Sequence, residues 1–302
     1  MSAVPASGWA DWFSPAELVR FRRRRLVDRW IGRLVPIVFL VAIVPILDLI
    51  FWISQRALPT LTWTTLTTNP TGNAGGLYGP IVGTVDLLLL GLAIAVPLGI
   101  VSGLSSAIFL PFRWGEVVRG AGDLLVGLPS VILGYFGYFA LVIYFGWGAS
   151  LLAGGVTLGF FMFPYIARAS DQAFSSVPSD LKDAALGAGA RLRQYARRVA
   201  FPIALPQILS GIFLAAAIGI GETAPLLWTA LFSSYPPTTL SQPTGYLTGL
   251  IWNYYDEPLT FGTEVTLAFQ AAFLLIVIVV AMNVIVRLYA ERSRKKLEGL
   301  YG

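Results

Sequence analysis

Six long apolar stretches constrain this chain more than any other feature of its sequence. They cover approximately residues 34–54, 80–110, 123–146, 151–168, 207–232 and 264–289. A helix needs about 20 apolar residues to cross the ~30 Å hydrocarbon layer of a bilayer, and each stretch approaches or exceeds that length. Because lipid offers no partners to backbone N–H and C=O groups, the stretches predict an all-α membrane protein with six transmembrane helices.

The composition excludes most other classes of protein. Hydrophobic residues make up 56% of the 302 residues and charged residues only 12%, about half of the ~25% that is typical of globular domains. Soluble, disordered and nucleic-acid-binding proteins are therefore excluded. The chain has no Cys and no His, which excludes a disulfide framework, the usual zinc sites and Cys- or His-based catalysis. We expect no cofactor, no metal and no catalytic residue.

The positions of the basic residues predict the orientation. If the N-terminus is cytoplasmic, six crossings leave only Arg56 of the 21 Lys and Arg residues on the outer side, as the positive-inside rule requires. The net charge of +5 then follows from topology and needs no nucleic acid or other anionic partner. The basic run Arg22–Arg25 is predicted to lie against anionic lipid headgroups, after an interfacial segment that carries Trp9, Trp12 and Phe13.

The predicted spans divide the chain into four segments. The first apolar stretch follows a basic lead of more than thirty residues without a clear cleavage site, so it reads as a retained signal-anchor helix. The segments are a basic cytoplasmic or interfacial part (1–33), the first helix with an outer loop (34–79), a core domain (80–290) and a basic cytoplasmic tail (291–302).

The long inner loop, residues 169–206, has helical signals of its own. Pro178 followed by Ser179 and Asp180 is a typical helix start, because proline fixes φ and a carboxylate favours the positive end of the helix dipole. Gly189 permits a chain reversal that a Cβ would hinder. We therefore predict two short helices joined at Gly189, which form a rigid knob on the cytoplasmic face.

This loop resembles the EAA loop of ABC-importer permeases, here within residues 176–202. The family pattern is E-A-A, three residues, G, nine residues and then I-x-L-P. The spacing is kept at Asp183, Ala184, Ala185, Gly189, Val199, Phe201 and Pro202, where Asp replaces Glu, and Val and Phe replace Ile and Leu. The resemblance implies coupling helices on the cytoplasmic side, between the fourth and fifth spans.

Two further motifs are similar to those of PstA-type permeases, the membrane subunits of phosphate importers. Residues 221–227 read Gly-Glu-Thr-Ala-Pro-Leu-Leu, like the family stretch G-E-T-A-P-L-L. Residues 127–130 read Gly-Leu-Pro-Ser, with Gly134 as the last glycine of the family's G-x-P-S-x3-G. The resemblance covers roughly residues 80–290 and implies the type I ABC-importer permease fold. One position departs, because family members commonly carry arginine where this chain has Ile218.

The resemblance implies a set of partners. These are a homologous second permease, a dimer of ATP-binding ABC subunits and an extracytoplasmic phosphate-binding protein that docks on the outer loops 55–79 and 233–262. The chain itself lacks a P-loop, since none of its lysines follows a glycine, so the energy must come from a separate ATPase. The residues expected to engage that ATPase are Leu181, Asp183, Ala184, Ala185, Leu186, Gly189, Arg191, Arg193 and Pro202.

A gate is expected in the fifth span. Glu222 lies in apolar sequence, where a carboxylate costs about 2.5–3.5 kcal/mol on insertion scales and needs an interior partner. Pro225 and the neighbouring glycines predict a kinked or opened helix. Gating by Glu222 and a structural contact with a neighbouring subunit are equally open. The residues expected at the gate and along the path are Ser130, Gly221, Glu222, Thr223 and Pro225.

Three alternatives to phosphate import stay open at this stage. Because Ile218 replaces the family arginine, import of another oxyanion such as sulfate or molybdate is the first. A secondary transporter usually shows internal repeats and midplane ionisable relays, and the sequence shows no repeat. A membrane enzyme is disfavoured by the lack of His, Cys and a carboxylate pair.

Overall fold

The computed structural model describes the backbone of residues 15–71, 74–256 and 263–301, and the side chains within 30–70, 75–255 and 263–289. Its helices are α1 (Pro15–Ala57), α2 (Trp63–Thr67), α3 (Tyr78–Leu104), α4 (Phe112–Gly127), α5 (Ser130–Gly137), α6 (Leu151–Ser175), α7 (Ser179–Gly187), α8 (Leu192–Tyr195), α9 (Phe201–Ile220), α10 (Leu247–Asp256) and α11 (Thr263–Tyr301). A small antiparallel hairpin pairs β1 (Pro70–Thr71) with β2 (Ala74–Gly75).

The chain divides into two compact units at residues 55 and 56. The first unit contains α1 as far as Gln55, and the second contains everything from Arg56 onward. The apolar part of α1, Trp30–Ala57, is 28 residues long and is more than sufficient to cross a bilayer. The predicted interfacial aromatic residues and the side chains of Arg22–Arg25 lie outside the described residues.

Five helical stretches are long and apolar enough to cross a membrane, and a sixth crossing exists if one bent pair of helices counts as a span. The five are Trp30–Ala57, Tyr78–Phe109, Leu151–Ser175, Leu192–Ile220 and Thr263–Tyr289. Four of the six predicted spans thus correspond to continuous helices. The third and the fifth differ from the prediction in a way that shapes the site.

The third predicted span, 123–146, is not one helix. The chain forms α4 and then α5 with a π-helical extension to Tyr144, and the two parts meet at an angle of 97°. Leu128 between them is extended, with φ −71° and ψ 132°, because Pro129 disfavours helical backbone in the preceding residue and has no N–H to donate. The helix also begins earlier than expected, since α4 already starts at Phe112 in the predicted inner loop.

The fifth predicted span, 207–232, is shifted toward the cytoplasmic end. Its helix begins at Leu192, passes through a π-helical turn (Ala196–Ala200) and ends at Ile220. Beyond Gly221 the chain leaves the helix and makes a single 3₁₀ turn at Ala224–Leu226. The glycines and Pro225 predict a helix that is either kinked or locally opened. The structure shows that the helix ends at Ile220 and does not continue beyond a kink.

Glycines allow α3 and α6 to pack in close contact. A Cβ at Gly99 would lie 2.7 Å from Ile166 Cγ2, and a Cβ at Gly103 would lie 2.5 Å from the backbone N of Asp171. Small residues of this kind let two membrane helices approach backbone to backbone. Of the five apolar windows, the one in α6 is the most buried inside the structure, at 61%, so α6 is the central helix of the second unit.

We expect Gly99→Val to destabilise the second unit by about 1–3 kcal/mol, because the new side chain must displace Ile166 in a packed core. The measurement is the melting temperature of the full chain in detergent, where size-exclusion chromatography after heating monitors the fraction that stays folded. Gly120→Val in α4 is the matched control, since no described atom lies within 4 Å of a Cβ there. Equal melting temperatures for the two variants would contradict the packing role of Gly99.

Candidate functional site

The two helix breaks lie against each other. Ser130, the first residue of α5, lies close to the carboxylate of Glu222, which follows the end of α9. A Cβ at Gly134 would lie 2.6 Å from Pro225 Cα, so α5 rests directly on the 3₁₀ turn. We name residues 221–226 the opened segment. Ser130 and Glu222, which the sequence analysis placed in the same predicted set from two different motifs, are therefore neighbours in the fold.

Side chains satisfy the backbone groups that the opened segment exposes. Thr248 Oγ1 at the start of α10 donates to the carbonyl of Glu222 at 2.8 Å. Thr229 Oγ1 donates to the carbonyl of Pro225 at 2.6 Å, and Leu226 N–H donates to the carbonyl of Thr223 at 3.0 Å. An unpaired backbone group would cost several kcal/mol at membrane depth, so these bonds hold the opened segment in one arrangement.

The space beside Glu222 is closed in this arrangement. A cavity of about 10 Å³ is lined by Glu222, Thr84, Tyr246 and Thr248 together with apolar side chains. That volume is roughly what one water molecule needs, and a tetrahedral oxyanion is larger than water. No Lys or Arg is among the lining residues. The cavity is therefore too small for an oxyanion, and the residues around Glu222 must move before an anion can enter it.

The second part of the site is residues 179–202, the predicted cytoplasmic hairpin. Its first helix, α7, ends in a Schellman motif: Ala190 N–H donates to the carbonyl of Ala185 at 3.0 Å, and Gly189 N–H donates to that of Leu186 at 2.9 Å. Gly189 has φ +85°, the left-handed conformation that this motif requires of its terminal residue. The predicted reversal at Gly189 is confirmed.

The helix α7 has two faces. Leu181 and Ala185, four residues apart, pack against a buried cluster that includes Val177 and Tyr195. Residues at this spacing share one side of a helix, so they close a small core under the hairpin. Leu181 and Ala185 are half-buried in this way, and their predicted contact with the ATPase stays a prediction.

The opposite face of the hairpin is exposed. Asp183, Ala184 and Leu186 of α7 are exposed, with Leu186 at 39%. Arg191 and Arg193 at the start of the second helical part are exposed as well. This face combines an apolar side chain, a small side chain and charges of both signs.

A proline lies at each end of the hairpin. Pro178 precedes the first residue of α7, and Asp180 lies in the first turn, without a side-chain cap on the helix amides. Pro202 lies in the first turn of α9, directly after the π-helical turn. Because proline has no N–H, a π-helical turn before it accommodates the missing hydrogen bond. The hairpin is thus continuous with the helix that leads to the opened segment.

Sequence reasoning missed two sets of polar residues. Thr248 gave no signal, because it is one of many threonines in the outer segments. Arg119 and Asp171 form an ion pair between α4 and α6. Both fall in predicted inner loops, 111–122 and 169–206, so their location on one side of the membrane was predictable, but their pairing was not.

Comparison with known proteins identifies the family. Residues 95–295 match the family described as binding-protein-dependent transport system inner membrane component. The chain is 36% identical over 297 residues to "Phosphate transport system permease protein PstA 2" of Mycobacterium bovis and equally to that of Mycobacterium tuberculosis, covering 98% of each chain. It is 29% identical over 253 residues to PstA of Haemophilus influenzae, covering 82% of this chain and 87% of that protein.

Solved structures share the fold. A bacterial ABC transporter involved in the import of alginate matches with TM-score 0.57 at 16% identity, covering 92% of this chain and 99% of that chain. An amino acid ABC transporter crystallised with histidines matches with TM-score 0.54 at 18% identity, covering 72% and 92%. The fold is that of a type I ABC-importer permease in the bacterial inner membrane. The chain belongs to the binding-protein-dependent transport system inner membrane components, and within them to the PstA type of permease.

Proposed function

We propose that this chain is the transmembrane permease subunit of an ATP-driven phosphate importer. The observation that carries the proposal is its match over 98% of its length to proteins named as phosphate transport permeases. Its role is to form the translocation path and to couple that path to a separate ATPase. The subunit itself carries out no catalysis. Both termini and the cytoplasmic hairpin lie on the cytoplasmic side, as the distribution of Lys and Arg favours.

The exposed face of the hairpin is the surface for the ATPase. Leu186 supplies an apolar anchor, and the small Ala184 lets the backbone approach a groove closely. Asp183 with Arg191 or Arg193 sets the orientation through charge, which gives specificity more than affinity. A dimer of ATP-binding subunits, a homologous second permease and an extracytoplasmic phosphate-binding protein on the outer loops 55–79 and 233–262 complete the assembly. Of these loops, residues 72–73 and 257–262 lie outside the described residues.

The contact between Ser130 and Glu222 is the gate. It links the two broken helices within one chain, and the cavity beside it admits no more than about one water molecule. A carboxylate paired with a hydroxyl closes the path and does not itself bind phosphate, since like charges repel.

The absence of a basic residue at two places supports a second substrate class, another oxyanion. Ile218 stands where PstA-type permeases commonly carry arginine, and the cavity beside Glu222 is lined by neither Lys nor Arg. Import of sulfate or molybdate is therefore the alternative function. In either case we expect recognition of the anion to reside mainly in the external binding protein.

The test is reconstitution of the complete complex in proteoliposomes with the external binding protein. We expect phosphate to stimulate ATP hydrolysis and to be taken up, whereas sulfate and molybdate do neither. Stimulation by sulfate or molybdate without a response to phosphate would contradict the assignment and establish the alternative. If no ATPase co-purifies with the chain, the importer assignment as a whole is wrong.

Gly189→Val is expected to lower phosphate uptake about tenfold, since left-handed backbone costs roughly 1–3 kcal/mol in a residue other than glycine. No described side chain surrounds Gly189 within 4 Å of a Cβ, so the effect acts through the backbone of the hairpin alone. The measurement is uptake per ATP hydrolysed in proteoliposomes at equal membrane content. Gly189→Asn is the matched control, because Asn tolerates this conformation; equal loss in both variants would argue against the Schellman motif as the cause.

Glu222→Gln is expected to reduce uptake while the complex still assembles. The amide keeps the shape of the side chain and removes its charge, so its interaction with the nearby Ser130 hydroxyl weakens. We would measure uptake, ATP hydrolysis without substrate, and co-purification of the partner subunits. Unchanged uptake together with unchanged assembly would exclude both the gating role and a structural role for this carboxylate.

A further inference from the structure

A bidentate ion pair joins the middle of α4 to the last turns of α6. Arg119 Nε lies 2.9 Å from Asp171 Oδ2, and Arg119 Nη2 lies 3.0 Å from Asp171 Oδ1. The exposed fractions of the two side chains are 31% and 16%. Parallel hydrogen bonds between a guanidinium and a carboxylate fix both the distance and the relative orientation of the groups. The pair therefore holds the two helices in one register.

Neighbouring groups extend the pair to the end of the α3 helix. Ser106, in the π-helical turn Ser105–Phe109, donates its hydroxyl to Asp171 Oδ1 at 2.7 Å, and its carbonyl accepts from Arg119 Nη2 at 3.2 Å. Arg119 Nη1 also donates to Glu116 at 2.8 Å. We name Ser106, Arg119 and Asp171 the clamp. It ties three segments together at one point on the cytoplasmic side.

The clamp lies between the hairpin and the gate. Asp171 is four residues before the end of α6 at Ser175, and the short turn 176–178 then leads into α7. Val177 in this turn is only 8% exposed and packs into the core of the hairpin. On the other side, Arg119 lies eight residues before the end of α4, roughly 12 Å along a helix, and α5 with Ser130 follows the break.

Two connections therefore lead from the hairpin to the gate. One is covalent and helical, because the helical stretch from Leu192 to Ile220 ends directly before Glu222. The other runs from α7 to the end of α6, across the clamp into α4 and through the break to Ser130. α5 also packs directly on α6, where Gly137 lies against Thr157, so the clamp adds a fixed register to a connection that packing alone leaves looser.

We propose that Arg119 and Asp171 are positioning residues that transmit the movement of the cytoplasmic hairpin to α5. The proposal rests on the assignment of the chain as an ATP-coupled permease. With the clamp closed, α4 and α5 follow α6, and the two breaks separate or meet in step with the ATPase. With the clamp open, the hairpin still moves α9, but α5 and Ser130 follow α6 only through the packing of Gly137 on Thr157, without a fixed register.

A second ion pair between the same helices provides the matched control. Arg168 on α6 contacts Asp123 on α4 through one bond of 3.2 Å, and both side chains are 59% exposed. The two pairs line the same cavity of about 200 Å³. Exposed single pairs contribute about 0–1 kcal/mol at most, so Arg168 and Asp123 do not fix the register of the helices. Removing this pair therefore tests whether the loss of any ion pair in the cavity changes coupling, or only the loss of the clamp.

The first experiment measures phosphate taken up per ATP hydrolysed by the complete complex in proteoliposomes. We expect Asp171→Asn and Arg119→Lys to lower this ratio on the order of fivefold or more, the size of a typical coupling between sites, with ATP hydrolysis retained. Asp123→Asn should leave the ratio unchanged. The double reversal Arg119→Asp with Asp171→Arg should recover part of the loss, because the pair is restored with exchanged partners.

A merely structural role predicts a different result. Hydrolysis, uptake and the melting temperature of the complex would then fall together, and the ratio would stay constant. That outcome overturns the proposal, as does an equal effect of Asp123→Asn. Failure of the double reversal to recover any of the ratio would also overturn it, since the interaction between the two residues would not be the cause.

A second experiment does not depend on the transported substrate. The chain contains no cysteine, so Tyr135→Cys on α5 and Gly187→Cys on α7 allow two spin labels to be placed on purified chain before it is assembled with its partners. We expect nucleotide binding to change the distance between the labels by pulsed electron resonance in the otherwise native complex, and Asp171→Asn to abolish the change. No change in the native complex contradicts the proposed coupling function, whereas a change that persists in Asp171→Asn contradicts the clamp alone.

Discussion

Backbone groups that leave a helix inside a bilayer find no water to bond with, so the chain can open only where it brings its own partners. At the opened segment those partners are two hydroxyls, Thr248 for the carbonyl of Glu222 and Thr229 for that of Pro225. The second helix break, at Pro129, is placed directly against the first, and Gly134 is the residue that lets them touch. The proposed gate therefore depends on satisfied carbonyls first and on the Glu222 carboxylate second.

Much of this architecture follows from local sequence. Apolar length predicted the helical stretches, and the reversal at Gly189 followed from a glycine at the end of a short helix with suitable spacing. The break at Pro129 was not predictable in the same way, because Pro97 and Pro164 lie inside α3 and α6 without ending them. What distinguishes Pro129 is tertiary: α5 has the opened segment to pack against, and that contact is absent from any sequence window.

For the candidate site residues, too, local sequence predicts one property and the fold determines another. Their types were predictable, since a carboxylate in apolar sequence needs a partner, and Ser130 and Glu222 both stand in motifs that resemble those of the family. Their pairing required the fold. The two faces of α7 show the reverse case: the spacing of Leu181 and Ala185 already placed them on one side of the helix, but only the buried cluster around Val177 and Tyr195 reveals which side turns inward.

A permease of this kind must convert one movement at its cytoplasmic surface into two coordinated movements at the gate. The helical stretch that ends at Ile220 transmits the first without a break in its backbone. The second has no such continuous path, because α4 and α5 meet at 97° and α4 joins α6 only through side chains and packing. A bidentate pair in the shielded interior is suited to that task, since it resists both sliding and rotation. The close α3–α6 contact at Gly103, beside Asp171, holds the helix that carries the carboxylate. α3 and α6 are therefore held together, and the pair extends a movement of α6 to α4.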